Sequence, residues 1–290
     1  VSDFLRYCEL VIGPLADWQG KGNTGDAVRI IADGTNAHLR VSFNASKTLT
    51  GEPNKIDITV YNLSRNTRQA IRTNLSKIQL FAGYESSASS GAMVASGGLL
   101  SAVSMRQGSD IVTKLTALDG YGGMVRGAYS RSFSGQTPIN QVVKQLAAAL
   151  PGVTVGKIDV DGRLPPKGMA FVGTTTSQLN KLADQQGFSW SVQDGVFQAV
   201  SDKRDTGNGF IFTSNSNLIS CAPLLNGPLQ VKVGVEIVAK FDARMKPGDR
   251  MVVKSTVSPE LSGDYKSTKV DLSFDSHGPA QLKAQSLKMF

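Results

Sequence analysis

The sequence predicts a mainly β protein with a small α+β insert between two β regions, and three observations carry that reading. Apolar and polar residues alternate with period two near both ends of the chain, as in Ile56-Asp57-Ile58-Thr59-Val60 and again from Leu229 to Phe241. Such alternation sets one strand face on a core and the other toward solvent or a partner. In the middle of the chain the apolar residues recur at helical spacing instead. A charged fraction of 19% and 30 glycines suit strands and turns better than long helices. At 290 residues a single core is near its limit, so more than one domain is expected. The predicted organisation is a first β domain over residues 1–125, an α+β insert over 126–205 and a second β domain over 206–290.

In the first region, Leu39, Val41 and Phe43 alternate with Arg40, Ser42 and Asn44, and Ile78, Leu80 and Ala82 form a further run. The stretch Ile111–Asp119 sets Ile111, Thr113, Leu115 and Ala117 on one face. Asp33-Gly34, Gly51-Glu52-Pro53-Asn54 and Gly108-Ser109-Asp110 are the turns between strands. One short helix is expected after Ser64 as N-cap, with Ala70, Ile71 and Leu75 on its apolar side. The segment Glu85–Gly98 is rich in Ser, Ala and Gly, has Glu85 as its single charge, and reads as a flexible loop.

The insert opens with Thr137 as a cap and Pro138 at the first helical position. Ile139, Val142, Val143, Leu146, Ala147 and Leu150 follow at helical spacing, and Pro151-Gly152 ends them. A second helix starts at Thr174-Thr175-Thr176, buries Leu179, Leu182 and Ala183, and stops at Gly187. Phe188, Trp190 and Val192 then alternate, Asp194-Gly195 turns, and Val196–Val200 returns as a hairpin. In the last region, Leu229–Phe241 is longer than an ordinary strand, so a long hairpin or a bend at Gly234 is expected. Lys246-Pro247-Gly248-Asp249 is a turn, and Met251–Val257 and Val270–Phe274 are strands.

Little in the chain suggests chemistry. Gly20-Lys21-Gly22-Asn23-Thr24-Gly25 matches a dinucleotide-binding pattern, yet Val28–Ala32 after it reads as a strand where a helix is needed, so a surface loop is expected. Asp159-Val160-Asp161-Gly162 lacks the rest of a calcium loop and reads as a turn. His38 and His277 have no Cys or carboxylate at ligand spacing, and no G-x-S-x-G occurs. The expectation is therefore no cofactor, no metal and no enzymatic turnover. Cys8 and Cys221 are read as two reduced, buried thiols, with a single long-range disulfide as the alternative. No window reaches the roughly 18 apolar residues of a membrane span, and Asp3, Arg6 and Glu9 interrupt any signal-like start. A protein without a membrane anchor, folding where it is made, is expected.

The net charge of +8 is spread along the chain. It suits a solvated basic surface or contact with nucleic acid or an acidic protein. Arg65, Arg68 and Arg72 fall three and four apart and line one helix face, with no acid between Arg65 and Lys77. They are interface candidates, as a basic ridge toward an acidic neighbour or passing DNA; a solvated helix face is the alternative.

Three stretches resemble the baseplate hub proteins of contractile-tail phages, related to the late-control D family and the hub part of type VI secretion spikes. They are Ile56–Ser64 running into the short helix, Thr174–Val200, and Lys246-Pro247-Gly248-Asp249 with the strand after it. The resemblance implies two sandwich- or barrel-like tube domains per chain and a homotrimer forming a pseudo-sixfold ring. That ring would match a sixfold tail tube or tube-initiator protein above and a threefold central spike below, among other baseplate proteins. It implies a virion component assembled in the host cytoplasm, with DNA leaving through the channel and no specific binding. The chain departs from the family in being compact, with a short segment after the second tube domain, so it need not carry a lysozyme-like domain or the spike. A cationic lumen would hold phosphates, so the excess Lys and Arg are expected to face outward or toward acidic partners. The rivals are a host-surface carbohydrate-binding protein and a cell-wall-degrading tail component. The first would want an aromatic-rimmed site, while aromatics are 7% of residues and Trp18 and Trp190 lie in different regions.

Overall fold

The computed structural model of the chain describes residues 6–13, 27–33, 39–73, 77–84, 91–226 and 231–289. The predicted loop Gly20–Gly25, Trp18, Gly34, His38, Leu75, Leu229 and the whole 85–90 stretch lie outside them. The first region contributes β1 (Arg6–Gly13), β2 (Val28–Ala32), β3 (Val41–Thr48), β4 (Asn54–Tyr61), α1 (Arg65–Thr73), β5 (Lys77–Tyr84), β6 (Ala92–Gln107) and β7 (Asp110–Asp119). Across the boundary between that region and the insert lies α2 (Tyr121–Arg126), and the insert holds β8 (Ala128–Phe133), α3 (Ile139–Ala148), β9 (Thr154–Asp159), β10 (Met169–Thr174), α4 (Thr175–Gln186), β11 (Phe188–Gln193) and β12 (Val196–Ser201). The last region adds β13 (Gly209–Thr213), β14 (Leu218–Asn226), β15 (Val231–Lys240), β16 (Arg250–Lys254), β17 (Gly263–Asp275) and β18 (Ala280–Lys288).

The strands of the first and last regions form one 13-stranded sheet in the order β14-β15-β18-β17-β3-β4-β7-β6-β5-β1-β2, with β16 pairing β17 and β13 pairing β16. The joint is β3 against β17, in register from Thr48 opposite Lys269 to Ser42 opposite Asp275. A shared core follows from this join: Phe43 stacks on Phe274 at 5.2 Å between ring centroids, and Phe241 packs edge-on against Phe274 at 5.4 Å. The insert has a separate core in which Leu146, Leu179 and Leu182 meet Trp190 and Phe197. Two-stranded β8–β10 and three-stranded β11–β12–β9 sheets frame it.

Local chemistry explains the elements. The Ser64 hydroxyl accepts the Thr67 amide at 3.1 Å, the predicted N-cap of α1, and Ile71 is buried beneath it. Gly187 ends α4 in the left-handed region, its amide donating to Ala183. Asp194 and Gly195 both have positive φ, the requirement of the tight turn whose twist matches the β11–β12 hairpin. Gly248 has φ 95° in the Lys246–Asp249 turn, as the proline-glycine pair predicts.

Several expectations change. The segment predicted as a loop to Gly98 is strand from Ala92 onward, paired with β5 and β7. Small residues serve close packing here: a Cβ on Gly97 would lie 2.7 Å from the Leu118 carbonyl. Pro138 is the N-cap of α3 rather than its first residue, and the Thr137 hydroxyl turns back to donate to the Ser134 carbonyl. The expected long hairpin is the antiparallel pair β14–β15, whose register shifts where Leu224 faces Gly234 and Leu225 faces Lys232, and Gly234 also lets β18 approach, since a Cβ there would overlap the Ser286 carbonyl oxygen. The Met251–Val257 strand stops at Lys254, and a 3₁₀ turn over Pro259–Leu261 leads into β17. Cys8 is a buried thiol outside any disulfide, as read, whereas Cys221, also in no disulfide, is only half-buried, because β14 pairs on one side alone among the described strands.

Candidate functional site

The strands from β14 to β6 run antiparallel without interruption through β15, β18, β17, β3, β4 and β7. One face of this run is core: Ile237, Ala284, Val270, Ala45, Ile56 and Ala117 are all buried. The opposite face is open and polar. Crossing the strands in register, Val238, Lys283, Asp271, Ser46, Lys55 and Leu118 form one row, and Gln281, Ser273, Asn44, Asp57 and Thr116 form the next. Period-two alternation builds this wall: each buried residue fixes its neighbours outward.

Cations on the wall meet carboxylates. Lys55 pairs with Asp57 at 2.8 Å, Lys269 with Asp271 at 3.0 Å, Lys283 with Glu236 at 2.8 Å and Arg40 with Asp275 at 2.6 Å. A second, neutral donor steadies each carboxylate. Thr116 Oγ1 donates to Asp57, Ser46 Oγ to Asp271, Gln285 Nε2 to Glu236 and the His277 amide to Asp275. Hydrogen bonds from Lys283 and Gln285 hold the Glu236 carboxyl below its ordinary range despite some burial. Burial raises Asp275, and Arg40 with the His277 amide outweighs it, leaving a net lowering. Lys114 and Lys240 also face this side and are exposed.

Where the insert meets the sheet, a second set of charges is buried. Lys47 Nζ lies 2.9 Å from Asp194 Oδ1, and Lys246 Nζ lies 2.7 Å from Asp194 Oδ2. Asp119 accepts the backbone amides of Asp194 and Gly195. Burial, and then the Asp194 carboxylate beside it, pushes Asp119 up to about 7. Asn54 donates to the Val192 carbonyl at 2.8 Å and accepts the Thr48 amide at 2.9 Å. Gly51 admits Trp190, whose ring carbon would lie 2.3 Å from a Cβ there. Residues from all three regions thus hold the insert at one end of the sheet.

Arg65 and Arg72 of α1 are exposed, while Arg68 is half-buried with its Nε unpartnered. Asp159 ends β9 and the segment 160–162 after it is irregular rather than the expected turn; Asp159 and Asp161 are both held by Arg204. His277 sits in the β17–β18 turn with Nδ1 2.9 Å from the Ser276 hydroxyl. Trp190 is buried against Phe197 with ring centroids 5.7 Å apart, so it offers no platform for a sugar. Sequence reasoning missed the wall's acids. A local signal was present for two of them, because Lys55-x-Asp57 and Lys269-x-Asp271 set opposite charges on the same strand face.

Comparison with known proteins agrees with this architecture. The family described as "Baseplate hub gp41" matches residues 27–280. Among solved structures, a tail protein from Neisseria meningitidis MC58 superposes with a TM-score of 0.65 at 12% identity, covering 97% of this chain and 96% of that one. A 43 kDa tail protein of prophage MuSo2 from Shewanella oneidensis gives 0.59 at 12% identity, covering 86% and 97%. An E. coli type VI secretion component, itself described as similar to phage T4 tail proteins gp27 and gp5, gives 0.61 at 8% identity, covering 86% and 73%. No curated protein sequence matches the chain.

Proposed function

This chain belongs to the baseplate hub gp41 family and is a structural component of the phage tail baseplate, and from that premise we propose that three copies close a ring around a DNA channel. The ring adapts a sixfold tail tube above to a threefold spike below, with the regions 1–125 and 206–290 as two tube-type modules per subunit and the insert 126–205 beside them. Its work is mechanical, without turnover, in a particle assembled in the host cytoplasm. Arg65, Arg68 and Arg72 serve this reading as contacts to an acidic baseplate neighbour.

The polar wall is the observation that carries the proposal. Its margins are strand edges: β14 pairs only with β15, and β6 beyond Gly98 pairs only with β7 among the described residues. Neither Leu218–Asn226 nor Leu99–Met105 carries a charge; Pro223 in β14 and Arg106 near the end of β6 guard these edges in part, and the remainder is open to pairing with another chain. Ile219 and Leu225 on β14, and Leu100, Val103 and Met105 on β6, are exposed apolar side chains at these margins. The run has an even number of antiparallel strands, so β14 and β6 point in opposite directions. Copies related by rotation about an axis along the strands therefore meet antiparallel, and the sheet continues from one subunit to the next. The test is particle symmetry by electron microscopy together with mass in solution, alone and with tube and spike proteins. Threefold rings with an axial opening support the reading; a monomer under every condition overturns it.

A further inference from the structure

We infer that the carboxylates of the wall mask its cations, so that a polyanion such as duplex DNA can pass along this face without being held. The inference rests on the wall lining the channel and goes beyond it by assigning a task to named residues. A lumen that kept Lys55, Lys269, Lys283 and Arg40 bare would bind phosphates, since each neutralised phosphate releases condensed counterions and adds affinity. A lumen of the opposite kind, without cations, needs none of the acids. The wall has both: Lys55, Lys269, Lys283 and Arg40 each have a carboxylate beside them, while Lys114 and Lys240 face the same side and are exposed.

The arrangement is built rather than incidental. Asp57 and Asp271 sit two residues from their lysines on the same strand and face. Glu236 and Lys283 reach each other between the neighbouring strands β15 and β18. Each acid is also fixed by a donor that carries no charge: Thr116, Ser46, Gln285 or the His277 amide. A carboxylate free to swing away would leave its cation open to phosphate; these are tethered from two sides. Between the pairs the face presents Ser42, Asn44, Ser273 and Gln281, neutral groups that exchange hydrogen bonds with water and with phosphate at small net gain. Pairing of this kind adds little to stability in an exposed setting, so its value lies in what the face does to a charged partner.

The experiment uses the full chain, a short labelled DNA duplex and binding measured against salt. The triple variant D57N/E236Q/D271N keeps side-chain shape and removes the masks. It is expected to bind the duplex about tenfold more tightly at moderate salt, with the slope of log affinity against log salt steeper by about 2.7, the value for three added phosphate contacts. The reciprocal variant K55Q/K269Q/K283Q is expected to bind as the unsubstituted protein does, because masked lysines contribute nothing. Unchanged affinity and slope in the first variant overturn the inference, as does lost affinity in the second. Circular dichroism and thermal melts confirm that both variants fold. The hub reading is judged separately by particle symmetry. Rings with no gain of binding sink the masking alone, whereas gain of binding without rings sinks the channel.

Discussion

Lys47–Asp194 and Lys55–Asp57 are the same chemical pair at nearly the same separation, 2.9 and 2.8 Å, in two regions of one molecule. The first lies between sheet and insert with its side chains 1% and 4% exposed, the second on the wall at 59% and 46%. Distance does not set what each is worth. In the joint, Lys47 and Asp194 are shielded from solvent, the desolvation cost has been met by several partners at once, and losing one charge strands the other. On the wall, water screens both and the pair contributes little to stability. One arrangement fixes the insert to the sheet, and the other leaves stability nearly untouched.

The largest expected effect breaks the joint. Asp194→Asn keeps a residue that tolerates positive φ and leaves the buried Lys47 ammonium without its charge partner. Urea unfolding should show a loss of about 3 kcal/mol or more. Adding Lys47→Met should recover much of that loss, because an apolar pair of similar volume removes the stranded charge. If the single variant is neutral, the comparison fails at its stronger end. Asn54→Ala comes next. It deprives the Thr48 amide and the Val192 carbonyl of partners in a buried site, at about 2 kcal/mol by the same measurement.

Asp119 predicts a pH dependence of smaller size. Its folded pKa, about 7, stands above its ordinary value, so the folded state binds more protons than the unfolded one between those values. Stability from this group is fully present below the ordinary carboxylate range and is lost as pH rises through about 7. Melting temperature should therefore fall from pH 5 to pH 8, and Asp119→Asn should flatten that slope. A melting temperature that climbs over this interval would contradict the assignment. The smallest effect is on the wall: Asp57→Asn should change stability by less than about 0.5 kcal/mol, which would leave its consequence for DNA as the measurable one.

Much of this was legible in the residues. Alternation in Ile56–Val60, the Ser64 cap, the Asp194-Gly195 turn and the glycine after α4 each act through neighbours in sequence, so local chemistry suffices to read them. The Glu85–Gly98 segment misleads for the same reason. Small uncharged residues look unstructured by themselves, and in its described part Gly97 serves the close approach of β7, since it lies against Leu118 twenty-one positions later. The joint was wholly hidden. Lys47, Asp119, Asp194 and Lys246 carry no shared motif, and nothing in their spacing brings them together.

The amino-acid sequence by itself determined which positions turn inward, because the two-residue period of a strand and the side chain's affinity for water decide that locally. It thereby determined a β-rich chain with a helical interruption. Only the tertiary structure decided that the two β regions share a sheet through β3 and β17, and which cation meets which acid. Arg40 and Asp275 are 235 positions apart, and their pairing depends on strand order and register. Those are set by the packing of the whole core, where a slip of one residue would turn every pair to the wrong face.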